Sequence, residues 1–461
     1  MKRTWPVLLG WLVLAEPAAV QAQYGYSTNA DGSIYTYSPI AGGGVAIAGY
    51  TGPPWAVTIP AKINGLAVTS IGDYAFGSTA LTSITIPGSV ASIGNHAFDS
   101  CSSLASATIS NGVTSIGDYA FYGSGLGGLT IPGSVTNIGQ SAFLFCASLG
   151  SVTIPGSVTS LGNYAFDSCS SLTNATISNG VTSLGQGEFA GCSSLAGVTI
   201  PGSVTSIGES AFNGCTSLTN ATIQLGVTSI GNEAFSFCEA LASVTIPASV
   251  TNIGEEAFQD CVSLASVTIP GGVTAIGASA FDNCSSLAGV TIPAGVASIG
   301  AAAFSGTGLA SVTIPGSVTN LGNYAFSQCS SLASVYFKGN APAANSTVFS
   351  SSSGNGYDNA TVYYLPGTTG WSNFSANTGL AAVLWNPLIQ TGDGSFGVRT
   401  NYFGFNIAGT ANIPIVVEAC TNLANPVWTP LQSLALTNGL FYFSEPFQAG
   451  IKGRYYRIGS Q

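Results

Sequence analysis

Charged residues are scarce in this chain, and basic residues are the scarcest of them. Charged side chains make up 6% of the 461 residues, and Lys and Arg together number eight. Between Lys62 and Lys338 there is no Lys or Arg, whereas this span carries twelve Asp and Glu residues. Nucleic-acid binding needs a basic footprint, and anionic membrane surfaces repel an acidic protein. These absences exclude nucleic acid as a partner of this span.

The residue types of catalytic sites are also rare. The only histidine, His96, falls in a repeat position that four other repeats fill with tyrosine (Tyr74, Tyr119, Tyr164 and Tyr324), which favours an exposed structural role over that of a general base. No Gly-x-Ser-x-Gly elbow stands in a strand–turn–helix context. Separated acids such as Glu255 and Asp282 do not stand out from the other acids as a glycosidase pair would. We therefore predict no catalytic residues, no cofactor and no enzyme activity.

Long apolar runs are absent except for a short one at the N-terminus. Lys2 and Arg3 precede an apolar stretch over 5–15, and Val20-Gln21-Ala22 follows it. This pattern predicts a signal peptide over residues 1–22, cleaved after Ala22. No later stretch reaches the roughly 18 apolar residues of a membrane span. We expect a secreted or cell-surface protein without a membrane span.

What the sequence does contain is a repeat of 22 or 23 residues, which indicates a solenoid. About twelve repeats occupy residues 63–337. Their most regular column is aromatic and consists of Phe76, Phe98, Phe121, Phe143, Phe166, Phe189, Phe212, Phe235, Phe258, Phe281, Phe304 and Phe326.

Each repeat predicts one flattened coil. Residues 149–154 follow the pattern Leu-x-x-Val-x-Ile of a short leucine-rich-repeat strand. Pro155 ends the strand because it has no N–H for the ladder. Residues 162–169 space their apolar side chains three and four apart, which predicts one or two helical turns on the outer side.

The elements Ala-Phe-x-x-Cys-x-x-Leu and Ile-Pro resemble the BspA-like class of leucine-rich repeats of bacterial surface proteins. The resemblance covers about residues 59–337. It implies a right-handed leucine-rich-repeat superhelix of short parallel strands, with roles in adhesion or protein binding. It implies no catalytic residues.

Cysteine also recurs once in most repeats. In-register coils lie about 4.8 Å apart, whereas a disulfide brings its Cβ atoms to about 3.8 Å. We therefore predict buried, reduced, stacked thiols rather than a disulfide framework. This column holds Cys101, Cys146, Cys169, Cys192, Cys215, Cys238, Cys261, Cys284 and Cys329.

Three segments flank the repeats. Residues 23–62 alternate as half-exposed strands do and predict an N-terminal β cap. The period fails over 338–385, which we interpret as a terminal cap unit. Residues 386–461 contain short strands bounded by Gly, Pro and Asn, which predict a small antiparallel, sandwich-like C-terminal β domain.

Two surfaces of the solenoid are candidate sites. The first is an outward threonine column on the strand side, a candidate binding face made of Thr130, Thr153, Thr176, Thr199, Thr222, Thr245, Thr268 and Thr291. The same column also suits a pleated surface for structural reasons alone. The second surface gathers acids that form a weak calcium candidate, Glu233, Glu255, Glu256 and Asp260. We favour the interpretation that these acids form a solvated ridge, which keeps an otherwise uncharged solenoid soluble.

These observations predict an exported, non-enzymatic leucine-rich repeat protein that presents an extended surface to an unidentified protein or cell-surface glycan. The alternative is a carbohydrate-binding or envelope-structural protein attached through its C-terminal β domain.

Overall fold

The computed structural model describes residues 24–29, 32–351, 360–446 and 453–459. The predicted signal peptide lies outside these residues. The chain forms a β-solenoid of about 14 turns, followed by an antiparallel β-sheet region at the C-terminus. The leucine-rich-repeat solenoid predicted from the period is confirmed.

One side of the solenoid is a series of parallel strands, each contributed by one coil. Valine, isoleucine or leucine points inward from these strands, and Thr points outward in most coils. We call this outward surface the strand face. Its strands are Ala56–Thr58, Ser83–Ile86, Ser106–Ile109, Gly128–Thr130, Ser151–Ile154, Asn174–Ile177, Gly197–Ile200, Asn220–Ile223, Ser243–Thr245, Ser266–Thr268, Gly289–Thr291, Ser311–Ile314, Ser334–Phe337, Thr361–Tyr364 and Ala382–Leu384.

A second parallel ladder closes each coil where the chain turns back after the strand face. We call it the return ladder. The sequence pattern indicated only that this segment re-enters the core. Its strands are Leu66–Ile71, Ser92–Ile93, Ser115–Ile116, Asn137–Ile138, Ser160–Leu161, Ser183–Leu184, Ser206–Ile207, Ser229–Ile230, Asn252–Ile253, Ala275–Ile276, Ser298–Ile299 and Asn320–Leu321.

The outer side of each coil is built from hydrogen-bonded turns, which corrects the predicted helical turns. In one coil, Tyr164 and Ser168 have φ values of 60° and 57°, in the left-handed region that a right-handed helix does not contain. The Tyr164 amide donates to the Gln186 carbonyl of the next coil at 2.8 Å rather than to a carbonyl four residues back. Among the described residues the only α-helix is Trp371–Thr378.

The core is a continuous stack of phenylalanine rings. Neighbouring rings from Phe76 to Phe349 lie 4.9–5.7 Å apart between centroids and within 16° of parallel. Tyr50 of the N-terminal segment stacks on Phe76 at 5.1 Å and covers the first ring. Phe349 adds a thirteenth phenylalanine ring beyond the twelve found from the period. Stacking along one axis therefore extends into the segment where the sequence period fails.

Both ends of the array are covered by β-structure. At the N-terminus the strands Gly25–Thr28, Ile34–Pro39 and Val45–Thr51 pair antiparallel, and the last of them pairs in parallel with the return ladder. The short strand Lys62–Ile63 pairs with Leu66–Ile71.

At the C-terminus two antiparallel sheets form a sandwich. One sheet contains Leu388–Gln390, Gly397–Arg399, Tyr402–Ala408 and Leu440–Pro446. The other contains Thr429–Ala435, Pro414–Cys420 and Tyr455–Gly459. Their shared core includes Phe405, Ile415, Val417 and the two solenoid residues Tyr336 and Tyr363. The sandwich therefore packs directly against the last coils.

Candidate functional site: the strand face and the junction groove

The eight threonines of the predicted binding face are all exposed. Those on hydrogen-bonded strands pair in parallel register, for example Thr153 with Thr176 and Thr199 with Thr222. The ladder is interrupted between Thr176 and Thr199, and again between Thr245 and Thr268. The face is thus a set of polar rows separated by breaks. That it binds a partner remains a prediction.

The threonine column changes to aromatic residues at the C-terminal end of the strand face. Thr313 pairs with Tyr336, and Tyr336 pairs with Tyr363. The two tyrosine rings stack with centroids 5.1 Å apart and planes 18° from parallel. Trp385 meets the Tyr336 ring edge-on at 6.3 Å, and its Nε1–H donates to the Pro414 carbonyl at 3.0 Å. This hydrogen bond ties the aromatic cluster to the C-terminal sandwich.

A cavity of about 400 Å³ opens beside this cluster, between the last coils and the sandwich. We call it the junction groove. Its aromatic wall includes Tyr336, Tyr363 and Trp385, and its polar wall includes Glu418 and Arg457. Arg457 Nε lies 2.6 Å from Glu418 Oε2. The groove therefore offers aromatic faces next to a charged pair, which suits an amphipathic ligand.

Lys338 stands at the rim of the junction groove and is exposed. It also borders a second cavity of about 440 Å³, which continues along the strand face past Thr313 and Thr291. No described carboxylate lies within ion-pair distance of Lys338. As the first basic residue after Lys62, it places a positive charge at the end of an acidic solenoid.

Sequence reasoning missed the junction groove. Trp385, Glu418 and Arg457 lie in separate segments outside the repeat, and no spacing links them. The one available signal was the replacement of threonine by Tyr336 in the outward column.

His96 takes part in a structural stack. Its ring lies between Tyr74 and Tyr119, with centroid distances of 4.5 and 4.9 Å and planes 5° from parallel. Its Nδ1 is 2.8 Å from Asp99 Oδ2, and the Ser100 hydroxyl donates to the other oxygen of Asp99. The serine thus contacts the acid and not the imidazole, so this trio does not have the order of a nucleophilic triad.

The cysteine column is buried, and none of its thiols forms a disulfide within the described residues. Each column Sγ donates to the carbonyl of a phenylalanine one coil earlier, as Cys192 does to Phe166 at 3.2 Å. In the three coils without cysteine, Thr79, Ser124 and Thr307 place a hydroxyl 3.2–3.4 Å from the next thiol. The column therefore serves the hydrogen bonding of the core, a role that hydroxyl side chains take over in the shorter coils.

The buried thiols are expected to be unreactive in the native protein. Burial raises the pKa of Cys238 to about 12 and that of Cys284 to about 12. At about pH 8 such a thiol holds about a thousand-fold less thiolate than one with an ordinary pKa. Ellman's reagent should therefore detect almost no thiol before denaturation and all ten afterwards without reductant. Rapid native reaction, or missing thiols after denaturation, would contradict this.

The acids of the calcium candidate lie on the outer turns. The pKa of Glu256 is raised by partial burial and by the nearby carboxylates Glu233, Glu255 and Asp282. Across the described residues, no three or more His, Cys, Asp or Glu side chains come together as metal ligands would. Glu233, Glu255, Glu256 and Asp260 accordingly do not form such a group, and we propose no metal site there.

Three comparisons place the chain among known proteins. The sequence model of the BspA-type leucine-rich repeat region, in six copies, matches residues 69–185, 136–265 and 251–357. A leucine-rich repeat protein from Bacteroides ovatus is 25% identical, with a TM-score of 0.54, over 80% of this chain and all of its own. A comparison with curated proteins gives no match.

Two further solved structures are similar to parts of this chain. A leucine-rich cell surface protein from Faecalibacterium prausnitzii is 24% identical over 78% of this chain and 99% of its own, with a TM-score of 0.39. The leucine-rich repeat protein of T. pallidum is 29% identical over 49% of this chain and 90% of its own, with a TM-score of 0.35.

In the described part of the chain, no helix is long and apolar enough to cross a membrane. The family match spans most of the solenoid. The repeat period, the parallel strand face and the family match agree over the same residues. The chain belongs to the BspA-type leucine-rich repeat family.

Proposed function

We propose that this protein is an exported, non-enzymatic binding protein that engages a protein or cell-surface glycan along its strand face and anchors it in the junction groove. The observation that carries this proposal is the position of the groove. It collects Tyr, Trp and Arg side chains at one end of an otherwise uncharged threonine surface.

The side chains that line the junction groove include residue types typical of interface hot spots. Binding energy concentrates in Trp, Tyr and Arg residues, while the surrounding contacts mainly exclude water. Trp385 and Arg457 supply such groups and Lys338 adds an exposed positive charge, whereas Thr222 and Thr245 supply hydroxyls alone. The strand face would therefore provide shape and length, and the groove most of the affinity.

A second candidate function follows from the outer face of the C-terminal sandwich. Tyr402 and Tyr442 are exposed there, and the Tyr442 ring lies over Gly404, whose added Cβ would stand 2.4 Å from the Tyr442 hydroxyl. The Asn406 side chain donates to Asp393 beside them at 2.8 Å. Flat aromatic rings beside amide and carboxylate groups suit a sugar chain, which favours attachment to polysaccharide through this domain.

The proposal predicts that the groove variant Lys338→Glu loses binding. Retention of the full-length mature protein on isolated bacterial cell envelopes should fall at least about ten-fold, because the loss of one anchor costs about 1.4 kcal/mol. The strand-face double variant Thr222→Lys and Thr245→Lys should also bind more weakly, because two charged side chains would then stand in the partner's path. Binding is measured by sedimentation with the envelopes.

The control is Ser170→Lys, which adds a charge at an exposed position on the outer side and should leave retention unchanged. The double variant Tyr402→Ala and Tyr442→Ala tests the second candidate on the same envelopes and on polysaccharide beads. Equal retention by wild type, the Lys338 variant and the strand-face variant would overturn the first proposal. Loss of retention in the tyrosine double variant alone would favour the second.

A further inference from the structure

Glu188 is an exception in the most uniform small-residue column of the core. The position before each stacked phenylalanine from Phe98 to Phe326 is otherwise alanine and fully buried, as in Ala97, Ala120, Ala142, Ala165, Ala211, Ala234, Ala257, Ala280, Ala303 and Ala325. Glu188 is equally buried. Neither of its carboxyl oxygens has a hydrogen-bond partner of good geometry, although the Gly185 backbone amide lies nearby.

No positive charge is available to this carboxyl group, because the chain has no Lys or Arg between residues 62 and 338. The titratable side chains of its own coil and of the two coils packed against it are acids, thiols and one phenol. They are Tyr164, Asp167, Cys169, Cys192, Glu209 and Cys215. A buried carboxylate without a partner is costly, so the group stays protonated while it is enclosed.

Both strand ladders break beside Glu188. The return ladder ends at Ser160–Leu161 and resumes at Ser183–Leu184. The strand-face ladder ends at Asn174–Ile177 and resumes at Gly197–Ile200. These two breaks form one seam. On the strand face and on the return ladder alike, the strands up to residue 177 are not paired with the strands after residue 183. Leu161 borders the seam and is partly exposed, unlike the Ile or Leu at the equivalent position of every other coil.

The outer turns remain bonded across the same seam. The Tyr164 amide donates to Gln186 at 2.8 Å, and the Phe166 amide donates to the Glu188 carbonyl itself at 3.0 Å. The outer side is thus bonded across the seam at several positions, whereas on the strand-face side one backbone hydrogen bond crosses it, from the Ala196 amide to the Thr173 carbonyl at 3.4 Å. This arrangement is that of a hinge, with the carboxyl group of Glu188 enclosed next to it.

We propose that the seam beside Glu188 is a pH-sensitive hinge, which stays closed while the carboxyl group is protonated and opens to water when that group ionises. Opening would separate Thr176 from Thr199 and change the curvature of the strand face. This hinge does not depend on whether the strand face is the binding surface.

The sign of the effect follows from burial. Burial raises the pKa of Glu188 well above the ordinary value of 4.5, and the nearby Gly185 amide opposes this only in part. The closed state therefore holds a proton that the open state releases. The stability of the closed state relative to the open state is greatest below about pH 4.5. It declines as the pH rises above that value and stops declining once the pH passes the raised pKa of Glu188 in the closed state.

Hydrogen exchange of the full-length protein from about pH 5 to about pH 8, corrected for the intrinsic rate, tests the proposal. In the wild type, protection of amides in residues 178–196 should fall by up to about ten-fold per pH unit. In Glu188→Gln this decline should vanish. Glu188→Ala restores the alanine of the other coils and should show high protection at every pH.

Two controls keep the result specific. A second seam lies between Ser243–Thr245 and Ser266–Thr268, where the alanine column holds Ala257, so its exchange should not vary with pH in this way. Glu209→Gln removes a neighbouring acid and should leave the wild-type decline unchanged. The proposal is overturned if Glu188→Gln keeps the wild-type pH dependence, or if protection beside Glu188 does not change with pH.

Discussion

Replacing Phe212 by alanine is expected to cost about 3–5 kcal/mol of folding free energy, the usual range for removing a buried phenylalanine ring. Phe212 is fully buried and stacks on Phe189 at 5.5 Å and on Phe235 at 5.2 Å. Alanine would leave a cavity in the middle of the stack, and the two coils cannot close over it while their backbones remain bonded. Urea unfolding followed by circular dichroism measures the loss.

The matched control is Phe237→Ala, two positions beyond the next ring of the stack. Its side chain is 45% exposed, so its removal should change stability by less than about 1 kcal/mol. A similar loss in both variants would show that the stack is not the main source of stability. A loss of stability confined to Phe212→Ala would support the phenylalanine stack as the main source of stability.

Replacing Gly226 by alanine is the second large effect, with an expected loss of about 2–3 kcal/mol. Gly226 has φ +123°, a conformation that L-residues rarely adopt, and an added Cβ would stand 2.1 Å from the Gly202 carbonyl oxygen of the preceding coil. The neighbouring backbone would have to move, because neither atom belongs to a flexible side chain. Thermal unfolding measures the change.

Gly271→Ala is the control for this prediction. Gly271 lies in the equivalent turn of another coil, its φ is not in the left-handed region, and its added Cβ would meet nothing within 4 Å. Alanine there should be neutral or stabilise by about 0.4–1 kcal/mol, because it restricts the unfolded chain. If both glycine variants have the same melting temperature as the wild type, the close contact between Gly226 and Gly202 does not constrain the fold.

The sequence alone was sufficient for the fold class because the solenoid is in register. When one coil stacks on the next without a shift, each column of the sequence becomes a column in space. The phenylalanine stack, the buried thiols and the outward threonines could therefore be read directly from the period. The same argument identified the breaks in the cysteine column, although not the hydroxyls of Thr79, Ser124 and Thr307 that replace it.

The outer turns could not be read in this way. Apolar residues at three- and four-residue spacing are typical of a helix, and residues 162–169 have that spacing. The turns form instead because Tyr164 and Ser168 adopt positive φ and because the amides bond to the next coil. Hydrogen bonds between neighbouring coils thus determine the conformation of these turns, which the spacing of apolar residues within one coil does not predict.

The period and composition of the sequence determined the solenoid, its core columns and its lack of basic residues from 63 to 337. Tertiary structure decided the junction groove, because Trp385 and Arg457 meet Tyr336 only when the sandwich packs on the last coils. It also decided the seam beside Glu188. The sequence shows an acid in an alanine column, but only the packing of the coils encloses its carboxyl group and opens both ladders beside it.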